Sequence, residues 1–102
     1  MTRLIVTRSA KADVAKTLDY LEHEAGANTA ERYTQQFRDA IVRLAKFPES
    51  GAPRPALGKL TRIIVIYPYV MIYDYERNED VLTILRILHG KTLISARLLR
   101  HK

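Results

Sequence analysis

Arg86 stands inside Val81 to His89, a run of mostly apolar and β-branched residues. A guanidinium there costs free energy unless it is paired or opens onto solvent. Strict alternation puts Leu82, Ile84, Arg86 and Leu88 on one face and Val81, Thr83, Leu85, Ile87 and His89 on the other. Two roles stay open for Arg86: an anion contact on an open sheet face, or an ion pair with Asp74 or Glu76 on the neighbouring strand. Arg54, Lys59 and Arg62 precede it, and Lys91, Arg97, Arg100 and Lys102 follow it. Gathered at one end of a sheet, these cations would bind phosphates or carboxylates with strong salt dependence. Scattered, they would be an ordinary solvated surface. His89, next to Gly90, is placed to act as a general acid or base near neutral pH, or simply to bond to backbone. Tyr67, Tyr69, Tyr73 and Tyr75 could stack on bases, but an aromatic stripe more often packs a core.

Other chemistries find no footing. The chain has no cysteine, so disulfides, thiol catalysis and thiolate metal sites are excluded. Its three histidines lack paired spacing, and no metal or cofactor is expected. There is no glycine-rich phosphate loop, nucleophile elbow or carboxylate pair of catalytic spacing. The 102 residues fit one domain, and a composition with 47% hydrophobic and 27% charged residues is that of a globular chain. A net charge of +6 predicts an anionic partner: nucleic acid, acidic protein or acidic membrane. Leu4-Ile5-Val6 is too short for a signal peptide, and no apolar run reaches the length of a membrane span, so a cytoplasmic protein is expected.

The elements that would position these residues can be read from the pattern. Leu4-Ile5-Val6 reads as a strand. Ser9 is expected to cap a helix whose apolar stripe is Val14, Leu18, Leu21 and Ala25, with Asp13 near its positive end, and Gly26 stops it. Asn28, with Glu31 three residues later, is expected to cap a second helix, which ends at Phe47-Pro48. A proline-stiffened loop spans 48–58. Strands follow at Lys59 to Ile66, Tyr69 to Glu76 and Val81 to His89. The expected fold class is α+β: an N-terminal strand, a helical hairpin packed on a small antiparallel sheet in the order β-α-α-β-β-β, and a short basic C-terminal tail, in a single domain over residues 1–102. The sheet face away from the helices is expected to be partly open.

Phe47-Pro48-Glu49-Ser50-Gly51, then Arg54, Gly58, Arg62 and Tyr73, and above all Leu85-Arg86-Ile87-Leu88-His89-Gly90-Lys91, resemble the RelE/ParE superfamily of toxins from type II toxin–antitoxin systems, most closely its ParE branch. The resemblance covers nearly the whole chain. It implies a toxin neutralised by a cognate ParD-like antitoxin with an acidic C-terminal segment, in a higher-order hetero-oligomer. For a ParE-like member it implies inhibition of DNA gyrase and blocked replication, with no catalytic residues. Target or anion binding would then fall to Arg54, Lys59, Arg62, Arg86, Lys91, Arg97 and Arg100, with the segment from Lys91 to Lys102 contributing. For a RelE-like member it implies ribosome-dependent mRNA cleavage, with Arg62 and Arg86 as cations and His89 as acid. The stretch from Gly51 to Lys59 supplies no Asp, Glu or His as the base. A relative that binds its antitoxin without being toxic is a third possibility.

Overall fold

The structure, a computed structural model, describes residues 2–92 and 94–100. Met1, Leu93, His101 and Lys102 lie outside the described residues, as does the side chain of Arg100. The elements run β1 (Arg3–Val6), α1 (Arg8–Ala25), α2 (Ala27–Lys46), β2 (Ala52–Pro53), β3 (Thr61–Ile66), β4 (Tyr69–Glu76), β5 (Val81–His89) and α3 (Ala96–Arg100). One sheet of order β1-β5-β4-β3-β2 carries the helical hairpin. β3 to β5 form the expected antiparallel meander, whereas β1 joins β5 in parallel, Val6 opposite Ile84. The crossover through both helices makes that possible, since a parallel pair needs a long connection. β2, only two residues long, lies within the loop expected over 48–58 and pairs with the start of β3.

The helix caps differ from expectation. Thr7, not Ser9, caps α1: its Oγ1 accepts from Ala10 N at 3.0 Å and donates to Leu85 O at 2.9 Å. One hydroxyl thus closes the helix and ties it to β5, a tertiary contact that Ser9 does not make. Gly26 ends α1 at φ 91°, where an L-residue would be strained, and its N–H reaches Glu22 O. The same glycine precedes α2, which starts at Ala27 without a side-chain cap, so the expected cap at Asn28 falls inside the helix. With only Gly26 between them, the helices must turn back on each other.

The larger core lies between hairpin and sheet. Phe37, Ala40 and Leu44 from α2 meet Met71, Tyr73, Leu82 and Ile84. Tyr69 packs edge-on against Tyr33 (centroids 5.6 Å apart) and Phe37 (6.0 Å), so the tyrosine stripe of β4 is core packing. Burial raises the pKa of Tyr69.

β5 does not alternate strictly. Ile72 pairs with Arg86 but Tyr73 pairs with Ile84, leaving Leu85 as an extra residue in a β-bulge. Past the bulge the faces exchange. Ile87 joins Leu82 and Ile84 on the helix side, while Leu85 joins Ile72 on the far side. That far face is not open as expected: Ile72 and Leu85 are buried under Leu99 of α3, with Leu57 and Ile94 packed alongside.

The loop after α2 is anchored from within the core. Tyr73 Oη donates to Pro48 O (2.9 Å) and accepts from Gly51 N (2.9 Å). Burial raises the pKa of Tyr73 and the Gly51 donor partly opposes the rise. A Cβ on Gly51 would lie 2.4 Å from that Oη and 2.8 Å from Ile63 O. Gly51→Ala is therefore expected to cost about 2 kcal/mol through overpacking, read as a lower urea midpoint at unchanged m-value.

Candidate functional site

Arg86 is paired with Asp13 of α1, rather than with Asp74 or Glu76. Nε donates to Asp13 Oδ2 at 2.6 Å and Nη2 to Oδ1 at 2.9 Å, a two-pronged geometry that suits a planar guanidinium. Asp13 Oδ2 also accepts from Ile87 N at 3.0 Å. The physical reason lies in the edge of the sheet. β1 stops opposite Ile84, so β5 beyond that point has no neighbouring strand on the side away from β4, and α1 lowers Asp13 onto the Ile87 N–H and the Arg86 guanidinium together. Asp13 accordingly serves this contact rather than the helix dipole, lying beyond the first turn of α1. The Asp13 hydrogen bond raises the pKa of Arg86. Asp74 instead accepts from Thr61 Oγ1 (2.6 Å) and Glu76 from Asn78 N (2.8 Å).

Arg62 is held by the loop that follows α2. Its Nη1 donates to Glu49 O and Gly51 O, both at 2.8 Å, and its Nη2 lies 3.7 Å from Glu49 Oε2. The same carboxylate oxygen accepts from Arg77 in the β4–β5 turn. Glu49 is thus a clasp between the loop, β3 and the β4–β5 turn, which sequence reasoning passed over, because a contact 28 residues apart leaves no spacing signal. Lys59, Arg62 and Arg77 border a cleft of about 580 Å³ with Glu49 and Glu76. Its charge is mixed, not uniformly basic.

The hydrogen bond from Arg77 holds the Glu49 carboxyl below its ordinary pKa of 4.5, and the charges of Arg77 and Arg62 add to this. A carboxylate favoured in the folded state stabilises it at neutral pH and loses that contribution as pH falls through its depressed pKa. The clasp is therefore expected to hold through neutral pH and to loosen only on acidification below the ordinary carboxylate value of 4.5. Comparing urea midpoints of the wild type and Glu49→Gln at pH 3 and pH 7 checks this; the difference should shrink at pH 3.

The remaining candidates are dispersed. Arg54 donates from Nη1 to Pro53 O (2.9 Å) and is exposed, as are Lys59, Lys91 and Arg97. His89 ends β5 opposite Tyr69, its ring edge-on to Tyr69 at 5.7 Å, and its Nδ1 accepts from Lys91 N at 3.1 Å. Arg62 lies toward the other end of the sheet, opposite Tyr73. From Tyr69 to Tyr73 is roughly 13 Å along β4, at about 3.3 Å per residue, and β3 and β5 flank β4 on opposite sides. Arg54, Lys59 and Arg62 therefore share one end, Lys91 and His89 share the other, and Arg86 is turned to α1. No group of His, Asp and Glu among the described residues could hold a metal ion, and no helix among them is long and apolar enough to cross a membrane.

Solved structures share this architecture. The chromosomal ParDE toxin–antitoxin system of P. aeruginosa contains a chain of 24% identity, matched over 87% of this chain and 96% of that one at a TM-score of 0.72. The RelBE2 toxin–antitoxin complex of Mycobacterium tuberculosis gives 20% identity, 86% and 96% coverage and a TM-score of 0.64. The isolated E. coli RelE toxin gives 13% identity, 91% and 88% coverage and a TM-score of 0.61. At these identities the likeness is one of fold. No curated protein matches the chain. Residues 4–94 match the model of the ParE toxin of the type II toxin–antitoxin system parDE. With that match spanning the strands, the hairpin and the loop clasped by Glu49, the chain belongs to the ParE family of type II toxin–antitoxin toxins.

Proposed function

We propose that this toxin arrests growth by docking onto DNA gyrase and blocking replication, and that a cognate antitoxin bearing an acidic segment neutralises it. One observation carries the choice of a docking mechanism over mRNA cleavage. Cleavage through a ribose 2′-hydroxyl needs a base, an acid and free cations converging on one phosphate. Here Arg86 is committed to Asp13, Arg62 to two loop carbonyls, and His89 sits at the far end of the sheet. Docking needs only a surface, and the +6 charge with the exposed Lys91 and Arg97 supplies a cationic one.

The test is expression of the toxin without antitoxin. DNA damage with arrest that a gyrase variant relieves supports the reading. Rapid transcript cleavage that disappears in His89→Ala supports the RelE-like alternative instead, and absence of any phenotype points to a non-toxic, antitoxin-binding relative.

A further inference from the structure

The two helices carry their charges in opposite senses. α2 ends on Arg43 and Lys46, the sign that the negative end of a helix favours. α1 is reversed. Its first turn has no acid and holds Arg8 and Lys11, and Lys16 follows. Its acids Asp19, Glu22 and Glu24 come in the second half, toward the end that favours cations. The one acid of the first half, Asp13, is held by Arg86. Arg8, Lys11 and Lys16 form no ion pair among the described residues. The arrangement works against the helix and is not compensated inside the fold, which marks it as serving a contact outside the molecule.

Arg8, Lys11 and Lys16 are exposed, and so are the small residues among them, Ser9, Ala12 and Ala15. Together they make a low, cationic helix face roughly 12 Å long at about 1.5 Å per residue. That is the axial length of about three to four base pairs at about 3.4 Å each. The face has no large apolar side chain to anchor a protein partner or to enter a lipid surface; the exposed large apolar residue of α1, Tyr20, lies among the acids. Contact with a phosphate backbone needs no such anchor, only unpaired cations on a surface that a rod-like polyanion can approach. The hairpin extends the charge into a gradient. α2 runs back from Gly26, so Arg43 and Lys46 reach the basic end, while Glu22, Glu24 and Glu31 gather at the other. A polyanion is thereby drawn to one end and repelled from the other.

We propose that the outer face of α1, through Arg8, Lys11 and Lys16, grips the phosphate backbone of duplex DNA without reading its sequence. This goes beyond the gyrase reading, which asks only for contact with the enzyme, and in that setting it lays the toxin against the DNA that the enzyme holds.

Fluorescence anisotropy of purified toxin on a short labelled duplex, repeated over a range of salt, tests this. For the wild type, log K should fall with log salt at a slope of about −3, as for about three phosphates neutralised. Arg8→Glu and Lys11→Glu are each expected to weaken binding at least tenfold and to flatten the slope by about one. Their melting temperatures should hold or rise, because an acid suits that end of α1, and this separates a lost contact from a damaged fold. Arg32→Glu makes the same change of net charge on α2, beside the acidic end, and should leave the affinity within twofold. Absence of salt-dependent binding by the wild type overturns the inference, as does an equal loss in Arg32→Glu, which would show bulk charge alone. Displacement of the duplex by polyglutamate at equal charge overturns it in favour of an acidic protein surface. The assay contains no gyrase, so its failure leaves the gyrase reading standing, and failure of the toxin to act on gyrase leaves the DNA contact standing.

Discussion

Asp13→Ala is expected to cost about 3–5 kcal/mol, the penalty for leaving one member of a largely desolvated ion pair without its partner. The side chains of Arg86 and Asp13 are only 21% and 12% exposed, so water cannot readily replace the lost carboxylate. Two groups are stranded at once, the Arg86 guanidinium and the Ile87 N–H. Against a total stability of about 5–15 kcal/mol, typical of a domain of this size, the variant should be partly unfolded at 37 °C. Asp13→Asn should fall between, since its carbonyl oxygen can still accept from Ile87 while the charge is gone. Urea titrations of Asp13→Ala, Arg86→Ala and the double variant give the coupling energy directly. A cost below about 1 kcal/mol, in the range of exposed pairs, would show that Arg86 is solvated and free to contact a target, and the assignment of Arg86 to the fold would be withdrawn.

The second large effect concerns the C-terminal segment. Leu99 of α3 lies on Ile72 and Leu85 and is buried with them on the far face of the sheet. Deleting residues 97–102 removes this cover and exposes both. A loss of about 2–4 kcal/mol is expected, as for other large core truncations, together with loss of toxicity. Such a deletion alone confounds unfolding with loss of the docking surface. Arg97→Glu separates them, because Arg97 is exposed and surface changes usually stay within about 0.5 kcal/mol. Growth arrest by Arg97→Glu should be weakened at least tenfold at an unchanged melting temperature. Full toxicity in Arg97→Glu would remove this segment from the docking surface.

The two effects show which parts of the molecule can be read from local sequence. β4 and β5 end where expected, because β-branched and aromatic runs are bounded by the polar turn Arg77 to Asp80. That turn needs Asp80 at φ 51°, a left-handed conformation that aspartate tolerates, and its carboxylate accepts from Thr2 Oγ1 (2.8 Å) and Tyr75 Oη (2.7 Å). The helical hairpin is likewise legible from its stripes and from Gly26. The bulge at Leu85 is not, since nothing in an apolar run marks where register will slip. It is this slip that moves Ile87 to the helix side and defeats a simple alternation argument. The Asp13–Arg86 pair, 73 residues apart, follows from where β1 stops and α1 crosses the edge, which is a property of the assembled fold. Thr7 was chosen over Ser9 by a carbonyl in β5 rather than by anything in the helix itself. The family signature is legible because its residues are conspicuous, but their structural partners are not. Arg62, Arg86 and Tyr73 stand out in sequence, yet each holds a loop or helix in place.

A toxin whose prominent arginines are spent on its own architecture should act through its surface. The most direct test is to give purified toxin to DNA gyrase and, in parallel, to a translating extract. Loss of supercoiling, restored by stoichiometric antitoxin, with transcripts left whole, is the predicted result. Cut transcripts beside undisturbed supercoiling would contradict it.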